Sequence, residues 1–282
     1  MNDNELEIRL NTLRERIKNQ KTKVVEPVAD SQPPQTFHGD ITPGCCITHQ
    51  DLSRIHWQSV RASDLNLSHC TFRNVDFTGA ELEGLHATHC HFEHCRFRSA
   101  DLTASRFEHC TFYHGDEHQR CDFSFCNLKE AQFTECDLSF CSFSRADAYG
   151  IEIDHCRAQG CDFSLASFSR MLSRKTAIAL ATITNTNLAY SDFEGVVLDK
   201  CELPNNRWIG VNFTNANLEG ANLCGGTMSF EHCHGLSLAS ADLRNTELHG
   251  LDLRKVNLQG VKILEWQQQS LLESLGLIIF PD

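Results

Sequence analysis

The sequence is short of positive charge, sparing with proline and empty of long apolar runs. Twenty-five Lys and Arg stand against 37 Asp and Glu in 282 residues, a net charge of −12. A chain so charged repels nucleic acid instead of binding it. No stretch is long enough to span a bilayer and no N-terminal apolar leader is visible, so a cytoplasmic protein in a reducing compartment is expected. There is no Gly-rich phosphate loop, no nucleophile elbow and no H-E-x-x-H motif. The carboxylates are spread along the chain, not gathered, which favours a binding protein over an enzyme. No catalytic residue, metal site or cofactor is expected.

What the chain has in abundance is a five-residue repeat. Phe or Leu recurs at one position of each five, with a small residue two places earlier: Cys70-Thr71-Phe72, Val75-Asp76-Phe77, Ala80-Glu81-Leu82, and later Cys121-Asp122-Phe123, Cys126-Asn127-Leu128 and Ala131-Gln132-Phe133. Five matches neither the helical nor the strand period. It fits a solenoid in which each pentapeptide is one side of a coil. A second period gives the number of sides. Cys70, Cys90 and Cys110 are twenty residues apart, as are His49, His69, His89 and His109. Coils are therefore four-sided, and like residues stack. About ten coils at strand spacing make an all-β rod of roughly 50 Å. Phe or Leu is the large inward residue and Cys, Ala, Val, Ser or Thr the small one.

Twelve of the fifteen cysteines fall on the small position (Cys45, Cys70, Cys90, Cys95, Cys110, Cys121, Cys126, Cys136, Cys141, Cys156, Cys161 and Cys201), where Cys serves as a compact apolar filler. Residues 1–37 carry six basic and six acidic side chains, so the net charge belongs to the rod. That acidity either keeps the rod soluble or draws it to a basic surface such as a protein's DNA-binding groove.

The domain plan reads as an amphipathic helix over residues 1–22, a Pro-containing linker over 23–37, the repeat rod over 38–263 and a C-terminal element over 264–282. In the first helix Leu6, Leu10, Leu13 and Ile17 have heptad-like spacing. It could pair with itself, bind an unknown partner or fold back on the rod. Pro27, Pro33 and Pro34 mark the linker.

Two interruptions break the rod. After Phe112 the next central residue is Phe123, so residues 113–120 must bulge outward, bringing Tyr113, His114, Asp116, Glu117 and Arg120 to the surface. From Phe168 to Ile183 the count is kept but the pattern is lost, which places a second loop over 171–182 with Met171, Leu172, Arg174, Lys175, Ile178 and Leu180. Loops on a rigid scaffold commonly carry binding, and apolar side chains exposed on an acidic rod favour a partner contact over a tolerated insertion. Residues 264–276 read as a helix ending at Gly276 and 277–280 as a strand. A solenoid end needs a cap or a partner. The excess of apolar residues, Trp266, Leu271, Leu272, Leu275, Leu277 and Ile279, favours a symmetric homodimer over a simple cap.

The stretch 89–95, rich in His and Cys, resembles a metal site, but its cysteines point inward and its histidines outward. The His49/His69/His89/His109 column projects from one corner, where it could hold a divalent ion or sense acidification; the alternative is surface filler copied by repeat duplication.

Beyond the repeat, from about residue 68 onward, the chain resembles the Qnr family of quinolone-resistance pentapeptide-repeat proteins. The resemblance rests on Gly150-Ile151-Glu152-Ile153, His155-Cys156-Arg157-Ala158-Gln159-Gly160, Ile183-Thr184-Asn185-Thr186-Asn187-Leu188, Lys200-Cys201-Glu202-Leu203, Asn206-Arg207-Trp208, Leu258-Gln259-Gly260-Val261-Lys262 and Leu271-Leu272-Glu273-Ser274-Leu275-Gly276. Both interruptions fall where that family carries projecting loops. Residues 1–67 have no counterpart in its typical members, and the loop sequences differ. The resemblance implies a right-handed quadrilateral β-helix, dimerised through its C-terminal ends. It also implies binding to DNA gyrase and topoisomerase IV, protecting them from fluoroquinolones. The mechanism expected from the rod's charge is that it approaches the enzyme's basic DNA-gate surface as a DNA mimic while the loops destabilise the drug-trapped cleavage complex. The competing reading is a general interaction scaffold, or an immunity factor against another topoisomerase poison. A metal-binding or enzymatic role through the histidine column is a third.

Overall fold

A pentapeptide closes one side of the coil because its parts divide the work. The computed structural model describes residues 35–36, 39–113, 115, 120–173, 176–273 and 275–280. The helix expected over 1–22 lies outside them, as does the linker up to residue 34. The rod forms a compact unit, Gln35–Asp282. It begins earlier than expected, because Gln35–Thr36 pairs in parallel with Gln50–Asp51 and satisfies the open edge of the first coil.

The central residue and the small residue two places before it point inward. The residue between them points out, bridging to its equivalent on the next coil, as in Glu81↔Asp101 and Asp122↔Ser142. The residue that turns the corner adopts the left-handed conformation, with φ between 51° and 66° at the non-glycine corners. Asp or Asn is favoured at the outward position for a local reason. Its side chain accepts the backbone N–H two residues on, closing the turn: Thr78 N–H to Asp76 Oδ1 at 2.9 Å, Ser124 to Asp122 at 2.8 Å, Ser164 to Asp162 at 2.9 Å, Thr214 to Asn212 at 3.1 Å.

Stacking of like residues builds the core. The Phe72, Phe92 and Phe112 rings lie in one file at 4.6 and 4.8 Å, within 6° of parallel. A longer file, Phe77-Phe97-Phe123-Phe143-Phe163, runs along the third side at 4.5–4.9 Å. All eight rings are buried. Of the twelve inward cysteines, eleven are buried; Cys45, on the first coil, is half-buried, and Cys233 is buried at a large position. These thiols do more than fill space. Cys70, Cys110 and Cys156 donate to the carbonyls of Ile47, Ala87 and Phe133 at 3.3–3.4 Å, the same bond that Ser105 makes to Leu82 and Thr246 to Leu223. Most polar groups at the small position reach the preceding coil in this way, Cys95 to Phe72, Cys136 to Phe107 and Cys161 to Leu138 among them.

Toward the C-terminus the second side's cysteine file becomes polar: Thr186, Asn206, Gly226, Thr246. Asn206 Oδ1 accepts from Thr186 N–H at 2.8 Å while its amide donates to the carbonyls of Ile183 at 2.6 Å and Leu203 at 3.0 Å. A Cβ at Gly226 would overlap the Asn206 carbonyl, and φ is +73° there, so only glycine fits.

The coil register measures both interruptions. Central residues on the first side pair Leu67↔Ala87 and Ala87↔Phe107, then Phe107↔Phe133 and Ile153↔Ile183. The spacing rises from 20 to 26 (107 to 133), so six residues are inserted at the first loop, and to 30 (153 to 183), so ten are inserted at the second. Those ten do not wind. They fold out as an antiparallel hairpin, Ser169–Ser173 with Thr176–Ala179. The second excursion therefore starts before residue 171 and ends before 180. Ala181–Thr184 is back in the wall, with Ala181 and Ile183 buried.

At the C-terminal end a 3-10 turn, Glu265–Gln267, leads into a short helix, Gln268–Glu273. Gln267 is buried and plugs the last coil. Its amide donates to the carbonyls of Leu243 and Thr246, each at 2.8 Å, and its Oε1 accepts from Leu264 N–H at 2.7 Å. Residues 277–280, expected as a strand, join no ladder among the described residues.

Truncating one ring in the long file tests the packing account. Phe123→Ala is expected to cost about 3–5 kcal/mol, read by chemical denaturation; a cost under about 1 kcal/mol would mean the file is not close-packed.

Candidate partner-binding surface

The insertions leave the rod at opposite corners. The first loop departs between the second and third sides, between Phe112 and Phe123; the hairpin departs between the fourth and first, between Phe168 and Ile183. Each is anchored by an aromatic contact. The Tyr113 ring packs on Phe140 at 5.2 Å, and the Arg170 guanidinium lies over the Tyr149 ring at 4.6 Å. Within the first loop Tyr113 is half-buried and Arg120 exposed, while His114, Asp116 and Glu117 lie outside the described residues. On the hairpin Met171 is 65% exposed and Ile178 42% exposed; Leu172 lies on its first strand, and Arg174 and Lys175 are outside the described residues. Leu180 belongs to the re-entry point. It is exposed, yet its N–H donates to Phe168 at 2.9 Å and its carbonyl accepts from Gly150 at 2.7 Å.

At the C-terminal end Trp266, Leu272, Leu275, Leu277 and Ile279 are exposed, Leu271 is half-buried, and Ile278 and Phe280 are each 82% exposed. Among the described residues, the expected dimerisation residues lie at one end and the expected loop residues at two corners. Sequence reasoning missed Phe125, Phe140, Leu165 and Tyr149. The first three stand on corners and Tyr149 just after a central residue. A large apolar residue out of phase with the repeat was the available signal.

The histidines form a stacked column. His49, His69, His89 and His109 turn the corner between the first and second sides, with φ of 51–53°. Their rings stack at 4.7, 5.0 and 4.8 Å. Parallel rings hold their nitrogens in separate planes, a poor arrangement for a shared tetrahedral ion. Among the described residues no group of three or more His, Cys, Asp or Glu is placed to hold a metal. In the 89–95 stretch Cys90 and Cys95 are buried, while His91 Nδ1 meets Thr111 Oγ1 at 2.8 Å and His94 Nδ1 meets Asn74 Oδ1 at 3.1 Å on the outside. Burial pushes the Cys201 thiol up to about 12, which keeps it protonated and a poor nucleophile. Among the described residues no helix is long and apolar enough to cross a membrane.

Carboxylates mark the third side, at Asp122, Asp162 and Asp192. Partial burial raises the Asp192 carboxyl, with Asp162 on the adjacent coil adding to the effect. By contrast, Arg244 holds Asp242 well below the usual carboxylate range.

This fold, four pentapeptides to a coil around stacked Phe, defines a pentapeptide-repeat protein, and the pentapeptide-repeat family model matches residues 58–90, 76–113, 119–151, 198–229 and 232–262. Among curated relatives, the quinolone resistance pentapeptide repeat protein QnrB96 of Scandinavium goeteborgense is 44% identical over 58% of this chain and 65% of its own length. QnrB4 of Escherichia coli is 47% identical over 37% of this chain and 49% of its own length. The matches thus span about half to two thirds of these relatives. The solved structure of full-length QnrB1, a plasmid-mediated fluoroquinolone resistance protein, superposes with a TM-score of 0.66 at 42% identity, covering 73% of this chain and 100% of that one. The chain belongs to the Qnr family of pentapeptide-repeat proteins.

Asp192 offers a test of the turn account. Its raised carboxyl makes ionisation costly in the fold, and this cost appears as pH rises through the folded value. Asp192→Asn keeps the turn acceptor and removes the charge. The variant should melt higher than wild type at pH 7 and match it at pH 3, where both are neutral. A lower melting temperature at pH 7 would show that the charge is needed for the turn.

Proposed function

We propose that this protein binds the type II topoisomerases DNA gyrase and topoisomerase IV and protects them from fluoroquinolones by destabilising the drug-trapped cleavage complex. One observation carries the proposal: the whole length of a solved fluoroquinolone resistance protein, QnrB1, is covered by this chain at 42% identity. The electrostatics support it. The rod's net charge of −12, spread over about 50 Å, is roughly one charge per 4 Å of axis, whereas duplex DNA carries one per about 1.7 Å. Such a field steers the rod toward a basic DNA-binding surface but is too weak to hold it there alone. The corner loops then supply the specific contact, with exposed Met171 on the hairpin its apolar centre. The protein acts by binding, without catalysis, in the cytoplasm, where its fifteen thiols stay reduced.

A homodimer through the C-terminal end completes the proposal. Residues 277–280 pair with no strand among the described residues and carry exposed Leu277, Ile278 and Phe280, the profile of a segment that pairs with a second copy.

Two measurements test these points. Added to gyrase supercoiling assays, the purified protein should raise the fluoroquinolone concentration needed for inhibition, and deleting the ten residues 170–179, which restores the 20-residue coil, should abolish that effect with the rod still folded by circular dichroism. Unchanged drug sensitivity at every protein concentration would refute the proposal. In sedimentation, the wild type should run as a dimer and Ile278→Asp as a monomer; a dimeric variant would place the interface elsewhere.

A further inference from the structure

We infer that Tyr149 and Arg170 form a latch that fixes which face of the hairpin is offered to a partner; the inference rests on the function proposed above and deepens it. The hairpin joins the rod at two points, the exit at Phe168–Ser169 and the re-entry at Leu180, bonded to each other through Leu180 N–H and the Phe168 carbonyl at 2.9 Å. An arm held at two adjacent points is free to rock about the line between them. A third contact off that line stops the motion, and Arg170 over Tyr149 at 4.6 Å supplies it.

The ladder register shows what the latch selects. Arg170 lies opposite Ile178 and Met171 opposite Ala177. Neighbouring residues on a strand project to opposite faces, so the Arg170/Ile178 pair and the Met171/Ala177 pair lie on different faces of the hairpin. With Arg170 seated on the ring, the Ile178 face turns toward the rod and the Met171 face turns out. Exposure follows that order, 42% for Ile178 and 65% for Met171. Tyr149 is held in the wall, where its carbonyl accepts the Glu130 N–H at 2.9 Å. At 8% exposed it is closed to direct contact with a partner. Any effect of changing its ring on partner function must therefore pass through the hairpin.

The test compares Tyr149→Leu and Tyr149→Phe in the full-length protein. In the free protein, the Arg170 side-chain resonances should show an upfield ring-current shift. That shift should persist in Tyr149→Phe and vanish in Tyr149→Leu. In the gyrase assay, Tyr149→Leu should need about two- to fivefold more protein for half-maximal protection, the range a single cation–π contact supports, and Tyr149→Phe should match wild type. Should Tyr149→Leu lower the melting temperature, Arg170→Gln on the surface takes its place, with the same loss expected. Wild-type resonances without the shift, or full protection by the variant that lacks the ring or the charge, would overturn the latch. If wild type itself fails to protect, the functional proposal falls, while the resonance shift still decides whether the latch exists.

Discussion

Coil-on-coil registry is the constraint from which the rest of this structure follows. Each side is a single pentapeptide and contributes little by itself, so stability comes from repeating the same contact directly above the last. Phe rings at 4.5–4.9 Å can stack only if successive coils keep register, and the ladders hold them there. A side chain is thus selected as one member of a column. The second side's small column shows this most clearly. Five cysteines, each a weak donor in a slot of fixed size, give way to Thr186 and Asn206 once the donors and acceptors above and below change to match. Gly226 and Gln267 complete that column, one by yielding space and the other by supplying an amide where no further coil exists.

The same registry explains how the rod tolerates insertions. A ladder is interrupted only if the chain returns out of position, and both excursions return to the next coil in register, at Phe123 and Ile183. Insertion at a corner leaves the walls intact. The corners are therefore the places where this architecture can acquire recognition elements without losing its core, and the aromatic roots Phe140 and Tyr149 tie those elements back to the scaffold.

Most of the fold was legible in the sequence because the five- and twenty-residue periods are direct images of the side and the coil. The extent of the second excursion was not, for an arithmetical reason: ten inserted residues are a multiple of five, so the phase from Phe168 to Ile183 looked undisturbed. Only the coil-to-coil pairing of Ile153 with Ile183 reveals them. Gln267 escaped notice because a polar residue beside an apolar helix face reads as exposed, whereas here it satisfies carbonyls that an open end would leave unpaired. The cysteines were placed correctly as inward residues, but their hydrogen bonds to the preceding coil depend on backbone positions that no spacing argument supplies. The surface was the least legible part. The seat of Arg170 on Tyr149 joins residues on different coils and follows no repeat.

The turn that Asp and Asn both close has an evolutionary corollary. Either side chain presents the same oxygen to the N–H two residues on, so either closes the turn. The line of Asp122 and Asp162, followed by Asn212 further along the same side, is then a record of choices made for reasons other than folding. Selection can redraw the electrical profile of such a scaffold one amide at a time, retuning its choice of partner while the scaffold itself stays constant.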